Sequence, residues 1–299
     1  MKSHSLWNGR DGCSQATIHV ALVKFISAVD VEFGRSILSA GRLARGECKR
    51  VSTSDKVLSI LSLFSTERSE WTVEQAAQAI GLPVSTTYGH FAVLVKTGWI
   101  ASIRGGRYIL GPAAIRLDWL IRNTDPLLRA AQPAMKFLAG AVDRPSVVML
   151  CRFYRNQVMC IDQASAGNPA FAPSYQRGRL LPLTRGAASK CILATLSDRA
   201  KRSLYSRNGE EFAVAGLGTN WMELRASLAV IRDAGYSVTY GEIDERVVAV
   251  AAPIMVAENT PIGCVAYVIS NENAGKETLE QIARMLKSAA AQITATLNA

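Results

Sequence analysis

WTVEQAAQAIGLPVSTTYGHFAVLVKTGWIASIRGGRYIL, residues Trp71 to Leu110, reads as helix, tight turn, helix and two-stranded ribbon. Thr72 is placed to cap the first helix, with Gln75 at the capping-box position behind it. Val73, Ala76, Ala77 and Ile80 follow at helical spacing, and Gly81 supplies a left-handed stop. Beyond Leu82-Pro83-Val84, Ser85 and Thr86 open a second helix, whose apolar side is Phe91, Leu94 and Val95 and which Gly98 ends. Trp99 to Ile103 and Arg107 to Leu110 alternate like strands around Arg104-Gly105-Gly106, a turn that tolerates positive φ. Two short helices followed by a basic-tipped ribbon make a winged helix-turn-helix.

A second helix of this size fits a DNA major groove. Short polar residues near its start, Ser85, Thr86, Thr87 and Tyr88, can reach base edges or phosphates, and His90 lies on the same helix. Arg104 and Arg107 at the wing tip would neutralise backbone phosphates, which gives affinity without reading sequence. The same pattern also fits a packing module with no nucleic-acid partner.

A chain of 299 residues leaves room for two domains with their own cores. Its apolar content of 49% and charged content of 19% are those of a globular protein rather than a disordered one. The net charge is +10, but residues 1–50 carry 8 Lys/Arg against 4 Asp/Glu, residues 51–124 carry 7 against 5, and residues 125–299 carry 19 against 15. No single basic stripe therefore identifies a partner, and the charge permits nucleic-acid binding without demonstrating it. Cys13, Cys48, Cys151, Cys160, Cys191 and Cys264 stand far apart with no C-x-x-C pair, as reduced core residues of a cytoplasmic protein do. No apolar stretch reaches membrane-spanning length, and Lys24 and Asp30 interrupt the apolar run near the start, so neither a membrane partner nor a secretory signal is expected.

Residues 1–50 read as an N-terminal extension without stable order. Ile18 to Ala40 is weakly amphipathic and Arg42 to Arg50 is basic, which also fits an arm touching DNA or a membrane surface. A translation start near Val51 would remove the segment altogether, and N-terminal sequencing of the native protein decides that. The winged-helix domain spans 51–112 and begins with a helix capped by Thr53 or Ser54 that runs from Asp55 to about Phe64. A linker helix fills 113–124, with Ile115, Trp119 and Leu120 apolar, and Asn123-Thr124-Asp125-Pro126 stops it and starts the next.

The rear domain spans 125–299. Leu127 to Val142 reads as a helix disturbed by Pro133, and Ser146 to Arg152 and Gln157 to Asp162 as strands paired across Arg155-Asn156. A short extended piece at 171–178 precedes helices at Thr184 to Leu196, Asp198 to Tyr205 and Trp221 to Ala234. Tyr236 to Tyr240, Val247 to Met255 and Ile262 to Ser270 are strands, and Thr278 to Leu297 is a closing helix. The fold class is therefore α+β: a winged helix-turn-helix, a linker helix, and an antiparallel sheet flanked by helices in an α/β sensor-type domain.

From Ser54 to Leu297 the chain resembles the IclR family of bacterial transcriptional regulators. GLPVSTTYGHFAVLVKTGWI with RGGRYILG behind it is similar to that family's recognition helix and wing. RGRLLPLTRGAASKCILATL is similar to its Gly, Pro-Leu, small-residue and Lys segment leading into a helix. IRDAGYSVTYGEIDERVVAVAAPI is similar to its Gly-Tyr, Glu and Ala-Ala-Pro-Ile run. The resemblance implies a homodimer or dimer of dimers that binds an inverted-repeat operator in double-stranded DNA, repressing or activating. It also implies a GAF-like rear domain that senses a small organic acid, with two arrangements of the dimer differing in affinity.

Two departures bear on that expectation. Gly89 stands where the family usually has Arg in the recognition helix, which removes a long cationic arm and costs roughly 1 kcal/mol of helix propensity. Arg246 stands where the family usually has Gly. The effector positions fall on Ala187 and Ala188, whose amides can hold a carboxylate at a helix start, and on Thr239, Ala249, Ala266 and Val268. Three of the last four cannot hydrogen-bond through their side chains, so the expected effector is a larger, more apolar acid than a two- or three-carbon keto acid, either aromatic or branched. Glu242 matches the family's Glu and is read as structural.

Catalysis is not expected. The three histidines are His4, His19 and His90, so the rear domain has no His for a nucleophile–base set. Cysteines and carboxylates do not cluster at ligand spacing, and no cofactor or metal is expected. Cys191 near a helix start is read as a small core residue rather than a reactive thiol. The alternative to a ligand-responsive regulator is a metabolite-sensing or partner-binding dimer whose DNA contact is weakened by Gly89.

Overall fold

A computed structural model describes residues 52–142, 144–167 and 174–299 of the chain. The expectations for residues 1–50 lie outside the described residues, as does the front of the extended piece at 171–178, whose remainder from Ser174 holds no strand.

The first helix, α1 (Thr53–Leu61), starts and stops earlier than its sequence suggests. Ser52 caps it: its Oγ accepts from the Asp55 amide at 3.2 Å, and the Asp55 carboxylate accepts from the Ser52 amide at 3.1 Å. A strand of two residues, β1 (Trp71–Thr72), leads into α2 (Val73–Ile80). There Thr72 and Gln75 form the expected reciprocal cap, each bond 3.3 Å long, and Gly81 closes the helix in the left-handed region. The second helix of the pair, α3 (Val84–Lys96), begins behind Pro83 with no side-chain cap, so Ser85 and Thr86 lie inside its first turn. The wing is β2 (Ile100–Ile103) and β3 (Arg107–Leu110), and β1 adds to the free edge of β3.

Ile60, Trp71, Val73, Ala76, Phe91, Leu94 and Ile100 form the core beneath these elements. The Tyr108 ring stands edge-on to Phe91 at 4.8 Å, an arrangement worth about 0.5–1.5 kcal/mol beyond its buried area. Val95, expected on this apolar side, is exposed.

The linker helix, α4 (Pro112–Thr124), is joined closely to the end of α3. A Cβ at Gly111 would stand 2.2 Å from the Gly98 carbonyl oxygen, so only glycine admits this approach. The Gly111 amide donates to Trp99 O at 2.7 Å and the Ala113 amide to Gly98 O at 3.0 Å. Along its length α4 buries none of its own residues. Asp125 then caps α5 (Pro126–Gly140), its Oδ1 accepting from the amides of Leu127 and Leu128. Pro133 removes one backbone donor from α5 but does not end it.

The rear domain is one antiparallel sheet between two helical layers. Its strands are β4 (Ser146–Tyr154), β5 (Gln157–Ala166), β6 (Leu180–Pro182), β7 (Ser237–Tyr240), β8 (Val247–Ala257) and β9 (Thr260–Ser270), in the order β6-β5-β4-β9-β8-β7. Between β6 and β7 run α6 (Ala187–Thr195), α7 (Asp198–Val214) and α8 (Trp221–Ala234), and α9 (Lys276–Asn298) closes the chain. The expected helix at Asp198 to Tyr205 is longer than its pattern, continuing through a non-helical Asn208. Val148, Leu150, Val265 and Tyr267 pack on α5 and α9, while Val147, Met149, Cys264 and Ala266 pack on α6 and α8. Both faces are covered, so the central strands are apolar at almost every position.

At Gly263 β9 comes so near β4 that a Cβ would lie 2.1 Å from the Cys151 carbonyl oxygen. Gly263→Ala should force these strands apart and cost at least ~3 kcal/mol, of the order of a severe core defect. A urea melt of the variant against the parent chain measures it.

Candidate functional site

Helix α3 has two sides set by its period. Positions 87, 90, 91 and 94 share the inner face. Thr87 is fully buried, its Oγ1 donating to Pro83 O at 3.0 Å, and His90 is buried with Nε2 unpartnered among the described residues. Thr87 and His90 were both expected to face a groove. The structure corrects this, because they stand in line with Phe91 and Leu94 in the core.

The outer face carries Ser85, Thr86, Tyr88, Gly89, Ala92 and Lys96, all exposed. The Tyr88 hydroxyl donates to the Glu74 carboxylate at 3.2 Å, and the charge of Glu74 pushes the phenol above its ordinary pKa, so it remains a donor. Arg104 is exposed at the wing tip. Arg107 pairs with Glu70 at 2.7 Å with both side chains solvated, a contact of about 0–1 kcal/mol with which a phosphate can compete. Short donors at a helix start beside an arginine-tipped ribbon suit phosphates and base edges.

A cavity lies between α6 and the sheet, and it brings together Ala187, Ala188, Thr239, Ala249, Ala266 and Val268. Thr239 pairs with Ala249 across β7–β8, and Ala249 with Val268 across β8–β9, so three of them form one row. Ala187 and Ala188 lie in the first turn of α6, where amides have no acceptor within the helix. Tyr175, Ile243 and Asp244 complete the wall from loops that local sequence pattern does not mark. The space open to the centre of a water molecule is about 40 Å³.

Glu242 also borders the cavity, but its carboxylate is held. One oxygen accepts from the Gly186 amide at 2.9 Å and the other from Lys190 Nζ at 2.5 Å. It serves as the fixed anion at the start of α6, where the helix dipole favours negative charge. Asp244 is likewise engaged, accepting from the amide and hydroxyl of Ser174.

The thiols nearby are buried away from solvent. Cys160, Cys151 and Cys264 are consecutive register partners across β5, β4 and β9, all fully buried. Burial pushes the Cys264 thiol well above its ordinary pKa, and a hydrogen bond with Cys151 followed by burial does the same to Cys160. Cys191 is buried and donates to Ala188 O.

The loop carrying Tyr175 also reaches the linker helix. Arg177 pairs with Asp118 of α4 at 2.5 Å, while its Nε donates to Ile161 O at 2.6 Å. Arg122 of α4 adds a contact of 3.9 Å to Asp162. The hydrogen bond from Arg177, with Arg122 beside it, holds the Asp118 carboxyl below its ordinary value of 3.8. A depressed carboxylate stabilises the fold above its unfolded pKa and loses that contribution as pH falls, so this contact weakens only in acid.

Two family descriptions match the chain: the IclR helix-turn-helix domain over residues 53–103, and the bacterial transcriptional regulator IclR C-terminal over residues 121–295. Similar curated proteins include the HTH-type transcriptional regulator KipR of Bacillus subtilis, 23% identical over 80% of this chain and 94% of KipR. The Transcriptional repressor IclR of Escherichia coli is 22% identical over 71% of this chain and 76% of its own. Among solved structures, a putative IclR regulator from a Silicibacter species has a TM-score of 0.68 at 20% identity, covering 82% of this chain and 96% of its own. An IclR homolog from Microbacterium hydrocarbonoxydans, complexed with 4-hydroxybenzoate, has a TM-score of 0.66 at 24% identity over 83% and 99%. The two curated relatives are named as regulators of transcription, not as enzymes. With both of its domains matched over more than half its length, the chain belongs to the IclR family of bacterial transcriptional regulators.

Proposed function

We propose that this regulator binds an inverted-repeat operator in double-stranded DNA as a homodimer or dimer of dimers in the cytoplasm. A small organic acid in the rear cavity, aromatic or branched, sets the strength of that grip. The observation that carries the ligand reading is the cavity wall: Ala249, Ala266 and Val268 offer no side-chain hydrogen bond, and the amides of Ala187 and Ala188 in the same wall have no acceptor among the described residues. An apolar body with one carboxylate fits both sides. The related structure that carries 4-hydroxybenzoate supports the same class of ligand.

Ser85, Thr86, Tyr88 and Arg104 support the DNA reading by their exposure on one helix and wing. Pairing of two copies is supported by α4, whose Ile115 and Trp119 are 74% and 62% exposed. No described helix is long and apolar enough to cross a membrane.

Thermal shift and gel shift test the proposal together. 4-Hydroxybenzoate at a hundred times its Kd should add about 2.7 kcal/mol of stability, whereas glyoxylate and pyruvate should add little. DNA from upstream of the gene should bind with strong salt dependence. Tight binding of glyoxylate or pyruvate, with no response to aromatic acids, would overturn the ligand assignment. Failure to bind that DNA at low salt would favour the other reading, a metabolite-sensing or partner-binding dimer, for which Gly89 in the outer face of α3 is the specific observation.

A further inference from the structure

Tyr175 is 4% exposed, lines the cavity, and donates its hydroxyl to Val158 O at 2.7 Å. What remains beside it is about 40 Å³, whereas an apolar cavity that takes up benzene measures about 150 Å³. A ring-sized ligand therefore gains the space it needs when that side chain leaves. Tyr175 is also tied to the front of the chain. Arg177 follows two residues later, a span of at most about 7 Å of backbone, and ends on Asp118 of α4. The start of α4 is in turn joined to the end of α3 through Gly98 and Gly111.

We propose that Tyr175 is a built-in stand-in for an aromatic effector, and that a ring-bearing ligand, on displacing it, draws Arg177 away from Asp118 and frees the linker helix. This rests on the reading of the cavity as the effector site and names how that site is coupled to the DNA-reading domain. The chemistry of the occupant indicates the chemistry of its replacement: a planar ring flanked by aliphatic walls, with one polar group able to use the acceptor at Val158 O. Coupling requires that the two states differ at both ends, and the pair of contacts made by one short loop supplies that difference.

Phenol is the probe, used on the full chain without DNA. In Tyr175→Ala, millimolar phenol should raise the melting temperature by several degrees, while the parent chain moves by less than about one. Hydrogen exchange of the α4 amides should be roughly tenfold faster in Tyr175→Ala than in the parent, with α9 unchanged. Arg177→Ala, which leaves the cavity wall intact, should speed α4 exchange equally and show no phenol response, and Arg177→Lys should restore slow exchange. Parental exchange rates in α4 for Arg177→Ala, or phenol acting equally on parent and Tyr175→Ala, would overturn the proposal. If Tyr175→Ala does not fold, the Arg177 variants decide. Loss of operator binding by the parent chain would sink the proposed function and leave these readouts unaffected.

Discussion

Gly89→Arg is expected to tighten operator binding by roughly tenfold and to steepen its salt dependence by about one unit of slope. Position 89 lies on the exposed face of α3 with nothing within 4 Å of where a Cβ would stand, so the long side chain meets no steric barrier. A new arginine there can reach a phosphate or the edge of a guanine, a contact of about 1–3 kcal/mol. Part of the gain comes from the helix itself, since an exposed mid-helix glycine costs about 0.5–1 kcal/mol relative to alanine. Gly89→Ala separates the two contributions: it should raise the melting temperature and leave the salt slope unchanged. Equal slopes for Gly89→Arg and the parent would mean that this face of α3 does not meet DNA.

The second large effect lies at the start of α6. Glu242→Ala should destabilise the chain by about 2–4 kcal/mol, which for a chain of this size is roughly 5–10 °C in melting temperature. Lys190 keeps only 10% of its side chain exposed, so removal of its partner leaves a cation in a space that water barely reaches. The Gly186 amide loses its acceptor at the same time. Replacing both members, Lys190→Met with Glu242→Leu, should recover most of the loss, because the cost is that of an uncompensated charge rather than of a missing attraction. Denaturant melts of the two single variants and the double variant measure the coupling.

Local chemistry made parts of the fold legible in the sequence. The Thr72–Gln75 cap and the Gly81 stop are set within a single turn, and both stand as read. The α1 cap slipped to Ser52 because Ser52, Thr53 and Ser54 can each serve, and the packing of the helix chooses between them. β1 and β6 have two and three residues, too few for a pattern, and exist because a partner strand pairs with them. Thr87 and His90 were placed outside by residue type, although their spacing to Phe91 and Leu94 already aligned them with the core.

The row Thr239, Ala249, Val268 assembles in one wall because register carries a motif position on each strand to the same place. Tyr175 had no such signal. It comes from a loop whose distance from α6 and β8 is decided by the whole sheet.

The strand order has a consequence for how the protein is made. β4 pairs with β9, so Val147 cannot find Val268 until nearly the entire chain has emerged from the ribosome. The helices and wing that end at Leu110 need nothing from beyond Leu110 to form their core. Nascent chains thus complete the winged-helix core first and the rear sheet last, and a message truncated in the last strands would yield a folded front domain behind an unfinished sheet.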